Sequence, residues 1–576
     1  MSARAIGRLL DRLEERGVEC HSLMVVRDGR VVAEGWWAPY SAERPHLLYS
    51  LTKSFTSVAV GLAITDGLLA LDDRVVDVLP DHVPDDISEQ ARRLTVHHLL
   101  SMTVGNREDS LTEAWQLEPD DLVKGFLRTP FPDAAGSRHV YDNSTTYVLA
   151  RMVERVRGSD LPEFLDERLF APMGIDHAEW DRVASGAAFG FHGLHLTTEA
   201  IAAFGELLLR GGRWHDRQLV PRAWVDLATT RHVDTLPLPN WLRNPDFESG
   251  YGYQFWISRH GYHGHGSYGQ YCVVVPEHDL VIAVTGAVVP TDALPGLFWE
   301  CLFPGLDDPG TTEDDETLAD RLRHLTLAPV PGSPGPAHPV EAKADSSAPH
   351  SPLPDGTAVI VTPVDSTEAV ATQSHGTHAA ATQVAGTAVV PAPIGGTEAA
   401  VAPADGTPAV ATPANETQAA ATQVVGTAVV PAPIGGTEAA AAPVHGTPVV
   451  ATPVDGTAVV SAPADATPVV GATGDGAVVG GRGGGGWVVW LGEGVEVAVG
   501  FGEWWESSPL GRPIVAAGAW QGDRFVADIY VITTPHRVRL VVEGGTASAA
   551  WNVVPLTGPS LALHVTAPLM TRPDVS

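Results

Sequence analysis

Cysteine is nearly absent from this chain of 576 residues. Cys20, Cys272 and Cys301 are odd in number and far apart. That excludes a disulfide framework and any CxxC redox or zinc site, and leaves buried free thiols as the expectation. Long apolar runs are missing too, so no membrane-spanning helix is expected. At the N-terminus Arg4, Arg8, Arg12 and Arg16 are mixed with Asp11, Glu14 and Glu15, and no apolar segment follows them. The pattern is that of an amphipathic helix rather than a secretory leader, and the expected location is the cytoplasm. Positive charge is scarce: 36 Lys and Arg stand against 69 Asp and Glu, giving a net charge of −33 and a pI near 4.9. Such a chain is repelled by nucleic acid and by anionic membrane surfaces, so neither is expected as a partner.

One region is poorer still. Between Lys343 and Arg482 there is no lysine or arginine, and from Gly356 to Asp475 there is no Phe, Tyr or Trp. Here the chain consists of twelve consecutive ten-residue units with threonine second in each, from Thr357 to Thr467, and Gly386–Ala400 recurs unchanged as Gly426–Ala440. Stacked units could form a β-solenoid with threonine ladders. Most units carry a proline that cannot donate to a sheet, which favours an extended, disordered, partly polyproline-II linker. After Gly484-Gly485-Gly486, alternating apolar stretches resume, among them Trp487–Trp490, Ile514–Trp520 and Phe525–Ile532. They are separated by Gly, Pro and Asp turns, and predict a small all-β barrel or sandwich of about 90 residues. Three parts are therefore expected: 1–330, a first folded domain; 331–475, a low-complexity linker; and 476–576, the all-β domain, whose tryptophans read as core or as a binding face.

Within 1–330 the pattern is mixed. A helix opens the chain, and His21–Arg27 and Arg30–Trp37 flank the turn Asp28-Gly29 as a β-hairpin. A second hairpin, Gln270–Pro276 and Leu280–Val289, turns at Glu277-His278-Asp279, and helices and loops fill the space between. The fold class is α/β in the α+β sense, with one antiparallel sheet made from both ends of the domain and a helical region against it. Three motifs carry chemistry. In Ser50-Leu51-Thr52-Lys53 the serine and lysine share one helical face, so the ammonium lies beside the hydroxyl at a helix start rich in unpaired N–H groups. Tyr141-Asp142-Asn143 can point a phenol and an amide the same way from an extended segment. His263-Gly264-His265-Gly266-Ser267-Tyr268-Gly269-Gln270 leads into the strand Tyr271–Val275, and its glycines would let a substrate approach the strand. The embedded Gly264-x-Gly266-x-x-Gly269 precedes a strand instead of a helix, which excludes a dinucleotide fingerprint. No HExxH or clustered carboxylate accompanies His97, His98, His263 or His265, so no metal and no cofactor are expected.

In this order the motifs resemble the serine β-lactamase-related hydrolases: penicillin-binding proteins, class C β-lactamases and their esterase and amidase relatives. Asp66–Asp73, Val96–Gly105, Gly193–Thr198 and Gly250-Tyr251-Gly252-Tyr253 are similar to that family as well, and the likeness spans roughly residues 1–305. The resemblance implies a β-lactamase/transpeptidase-like fold, with helices on both faces of the sheet and a helical subdomain. It implies Ser50 as a nucleophile forming an acyl-enzyme, with Lys53 and Tyr141 sharing the proton relay. Asn143 would orient Lys53 and touch the substrate. His265, Gly266 and Ser267 would line the substrate, with a backbone N–H near Ser267 joining that of Ser50 in the oxyanion hole. The third motif departs from the Lys-Thr-Gly or His-Thr-Gly of the best-known relatives. A neutral histidine holds a substrate carboxylate weakly, so small uncharged esters or amides are the expected substrates. The alternatives are a β-lactamase or D-amino-acid-specific peptidase, and a non-catalytic scaffold on a relic hydrolase fold.

Overall fold

The computed structural model describes residues 1–364 and 485–566, apart from 184, 237, 239–242, 291–292 and 493, together with the backbone of 478–479. Both predicted hairpins form. The strands β1 (Cys20–Arg27) and β2 (Arg30–Trp36) join β3 (Trp256–Ser258), β4 (Gly261–Gly266), β5 (Gln270–Val275) and β6 (Leu280–Gly286) in one antiparallel sheet of order β2-β1-β6-β5-β4-β3. The seam between N- and C-terminal segments is β1 against β6, with Leu23 opposite Val284 and Val25 opposite Ile282.

Alternation along these strands feeds two cores. Helix α1 (Ala3–Glu15) lays Ile6, Leu9, Leu10 and Leu13 on one face, over Leu23, Val25, Ile282 and Val284. On the other face Met24, Val26, Val281 and Ala283 meet the buried residues of the helical region. That region holds α2 (Thr52–Thr65), α3 (Asn143–Arg157) and α4 (Thr198–Leu209), with α4 against β1, β5 and β6. Every residue of α2 from Thr52 to Ala63 is buried, as expected for a helix enclosed on all sides. Phe55, Val58, Val60 and Leu62 each contribute about 1.5–3 kcal/mol by leaving water.

Eight further strands close into a barrel: β7 (Val340–Ala344), β8 (Ala358–Val364), β9 (Gly486–Trp490), β10 (Glu496–Phe501), β11 (Ile514–Gln521), β12 (Arg524–Val531), β13 (Arg537–Glu543) and β14 (Thr546–Trp551). The ring runs β11-β10-β9-β8-β7-β14-β13-β12 and returns to β11. Its interior is filled by side chains, as eight strands allow. Trp487, Trp505 and Trp520 are buried and Trp490 is exposed, so the tryptophans are mostly core.

Here the structure departs from the sequence reading. β7 and β8 fall inside 331–475, the stretch read as linker, and β8 belongs to the first ten-residue unit. That unit alone carries the run Val359-Ile360-Val361, whose two valines are fully buried in the barrel. The expectation of disorder for the remaining units, from Asp365 onward, lies outside the described residues. Their attachment points do not. Val364 pairs with Gly486, so the repeat leaves and rejoins the barrel at one hairpin and does not space the barrel from the rest of the chain.

Candidate active site

Ser50 occupies a 3-10 turn, Tyr49–Leu51, that runs directly into α2. One turn later Lys53 is buried to 1% exposure and lies within hydrogen-bond range of three oxygens: Ser50 Oγ at 2.9 Å, Asn143 Oδ1 at 2.6 Å and the Phe191 carbonyl at 3.0 Å. Burial disfavours its charge more than Asp109 and Asp142 favour it, and the amine is pushed down to about 7. An ammonium donates to all three oxygens. The neutral amine donates to Asn143 and Phe191 and turns its lone pair to the Ser50 hydroxyl.

Tyr141 comes from the segment before α3 and stacks on Trp256, with ring centroids 5.6 Å apart and planes at 7°. Ser50 lies close enough to act on its phenol, and Lys53 Nζ lies 4.9 Å from its ring centre. Burial raises the phenol above its usual value, and the nearby Ser50 hydroxyl opposes this only in part.

The cap of α3 is Asp142, whose carboxylate accepts from the Ser144 N–H, and Asn143 is the first helical residue. The amide of Asn143 has two partners. Oδ1 accepts from Lys53, and Nδ2 donates to Asp109 Oδ2 at 2.6 Å. It is therefore a link in a chain from Asp109 to Lys53. Asp109 also accepts from the N–H groups of Asn143 and Leu111, both at 3.1 Å. Asp142, beside it, accepts from Asn106 and Ser110. Burial raises both carboxyls, Asp142 well above the usual carboxylate range.

The third motif is brought to the same place by β4, which runs beside the Tyr49–Leu51 turn. Its glycines let the strand pack tightly on that turn. A Cβ on Gly266 would lie 1.9 Å from the Leu48 carbonyl oxygen, and one on Gly264 would lie 2.3 Å from Leu51 Cδ1. On the Cβ side the space is taken by the segment carrying Ser50. Ser267 is fully buried, and its carbonyl accepts from Gln270. His265 is 9% exposed and packs its ring on Phe247 and Tyr271. Burial, His263 and Lys53 all hold it well below the usual histidine range, so it is neutral.

Sequence reasoning missed Asp109 and the Phe191 carbonyl. Asp109 stands in an unremarkable loop, and a main-chain oxygen has no sequence signature. It did single out Gly250–Tyr253, without a role: Tyr253 bonds His97 at 2.7 Å, and the Gln254 carbonyl accepts from Ser54 at 3.0 Å.

Residues 6–293 match the family model described as Beta-lactamase. The chain is 26% identical over 292 residues to a 6-aminohexanoate-dimer hydrolase of Paenarthrobacter ureafaciens, covering 48% of this chain and 74% of that protein. It is 29% identical over 202 residues to penicillin-binding protein 4 of Amycolatopsis lactamdurans, covering 34% of this chain and 52% of that one. Against the lovastatin esterase of Penicillium rubens the figures are 27% over 173 residues, 26% of this chain and 43% of the esterase. The last two are thus matched over less than two thirds of their own length.

Proposed function

The chain belongs to the Beta-lactamase family, and on that premise we propose that it is a serine hydrolase that forms an acyl-enzyme on Ser50 and cleaves ester or amide bonds of small acyl substrates. One observation carries the assignment of roles: a buried lysine, pushed down to about 7, with its nitrogen 2.9 Å from the Ser50 hydroxyl. Neutral Lys53 accepts the Ser50 proton as Oγ bonds to the substrate carbonyl carbon. The charge that develops on the carbonyl oxygen falls to backbone N–H groups of Ser50 and of the strand end near Ser267. Tyr141, protonated at rest, gives its proton to the departing alcohol or amine and is reprotonated from Lys53. Water then attacks the acyl carbon by the reverse relay and frees Ser50. Asn143 orients Lys53, and Asp109 holds Asn143.

Supporting uncharged substrates is the neutral His265, which leaves no cation at that position to meet a substrate carboxylate. Relatives named as a dimer hydrolase and as an esterase fit the same reading. In this account residues up to about 330 carry the chemistry and the barrel follows.

A fluorophosphonate probe and a substrate panel test it. Wild-type protein should be labelled on Ser50, and Ser50→Ala should not be labelled at all. Short p-nitrophenyl esters should turn over faster than a chromogenic cephalosporin. Absence of labelling at every pH would sink the hydrolase roles, and preference for the cephalosporin would overturn the substrate class.

A further inference from the structure

Tyr49, just before Ser50, and Tyr268, just after Ser267, share three properties. Both are non-glycine residues with left-handed backbone, φ +50° and +65°, a conformation that a bulky side chain adopts only when its surroundings impose it. Both are buried, at 2% and 1% exposure. Both send their hydroxyls into the barrel. Tyr268 donates to the Val554 carbonyl at 2.7 Å, and Tyr49 lies 2.5 Å from His536 Nε2. The other ring nitrogen, His536 Nδ1, is 2.9 Å from the Val553 carbonyl. A carbonyl can only accept, so Nδ1 carries the proton and Nε2 accepts from Tyr49. The two phenol rings meet edge to face at 5.4 Å and form one apolar cluster with Leu47, Val553 and Leu556. Beside them the Leu47 N–H donates to the Thr533 carbonyl at 2.8 Å.

Tyr49 also stacks on His192, and the Tyr268 carbonyl accepts from the Val288 N–H, but the partners of both hydroxyls come from the barrel. A domain that was merely tethered would need none of them, because attachment could be made anywhere on the surface. We propose that the barrel is a working part of the catalytic site: through His536 and the 553–556 loop it locks Tyr49 and Tyr268, positioning residues that set the backbone on either side of the acyl-transfer centre. The inference rests on Ser50 as the nucleophile. It gives the barrel a function in the reaction, because a displacement of about 1 Å at such a centre costs on the order of 10²-fold in rate.

The test uses the full-length chain, with Tyr49→Phe, Tyr268→Phe and the double variant, each removing one or two hydroxyls without changing shape. Fluorophosphonate labelling rate, kcat and KM for a p-nitrophenyl ester are measured well below the melting temperature. Trp505→Phe is the control, since Trp505 donates only to Glu503 within the barrel. Each single variant should lower kcat and labelling by about 10-fold and the double variant by about 10²-fold, with KM changed less than about threefold. His536→Gln, which keeps an acceptor in reach of Tyr49, should retain more activity than His536→Ala and serves if a tyrosine variant fails to fold. Wild-type rates in the double variant, or an equal loss in Trp505→Phe, would overturn the inference while leaving Ser50 labelled and the hydrolase reading intact. An unlabelled wild type would overturn both.

Discussion

In the proposed mechanism Lys53 is the residue on which the chemistry turns. Its nitrogen faces three acceptors, on a helix buried from Thr52 to Ala63, and burial outweighs the two nearby carboxyls. The sign follows directly. A base with its value near 7 is protonated and inactive below that pH and free above it, so kcat/KM should rise with pH and level off above about 7. A tyrosinate base would place the limb far higher, because burial raises Tyr141. Asp109 favours the charged form of Lys53, so Asp109→Asn should move the limb to lower pH. The same change weakens the grip on Asn143 and should lower kcat by about tenfold. A pH–rate profile of the two proteins checks both statements. An unmoved limb would show that Asp109 does not act on Lys53.

At the scale of elements, the decisive fit is strand β4 against the turn that carries Ser50. Gly266 lies so close to the Leu48 carbonyl that even a methyl group cannot enter unless backbone moves. Gly266→Ala should therefore lower the melting temperature by several degrees. It should also lower turnover by more than about 10²-fold, since the moving parts are the strand and the turn to which the proposed mechanism assigns the oxyanion hole and the nucleophile. Calorimetry and ester hydrolysis measure the two effects. Normal turnover in a stable Gly266→Ala protein would mean that this close packing is irrelevant to the site. Much of the element pattern was legible. The turn Asp28-Gly29, the alternation along both hairpins and the i, i+3 spacing of Ser50 and Lys53 are local signals, and they map onto β1, β2, β5, β6 and α2. The purpose of Gly264 and Gly266 was not, because what a glycine makes room for depends on what packs against it.

For the whole molecule, the repeat and the barrel have unlike relations to the site. Because Val364 and Gly486 are paired neighbours, the residues between them are an excursion from one hairpin. Loop closure depends weakly on length, about 0.6 kcal/mol per doubling. Deleting 366–475, which spares β8, should therefore leave kcat and the melting temperature unchanged or slightly raised. Extending the deletion back to Gly356 removes a barrel strand, and should unfold the barrel and with it the contacts to Tyr49 and Tyr268. Circular dichroism and turnover of the two deletions distinguish these outcomes.

The order of motifs, the antiparallel hairpins, the helical pairing of Ser50 with Lys53 and the alternating strands near the C-terminus were all determined by the sequence itself, because each depends on neighbours within a few positions. Three features were decided only by the tertiary structure: the Asp109–Asn143–Lys53 chain, the barrel strand hidden in the first repeat unit, and the seating of Tyr49 and Tyr268 on His536 and Val554. Each joins residues that lie tens to hundreds of positions apart, and no periodicity reports such a meeting. Burial, which lowers Lys53 and raises Tyr141, likewise exists only once the chain has closed around them.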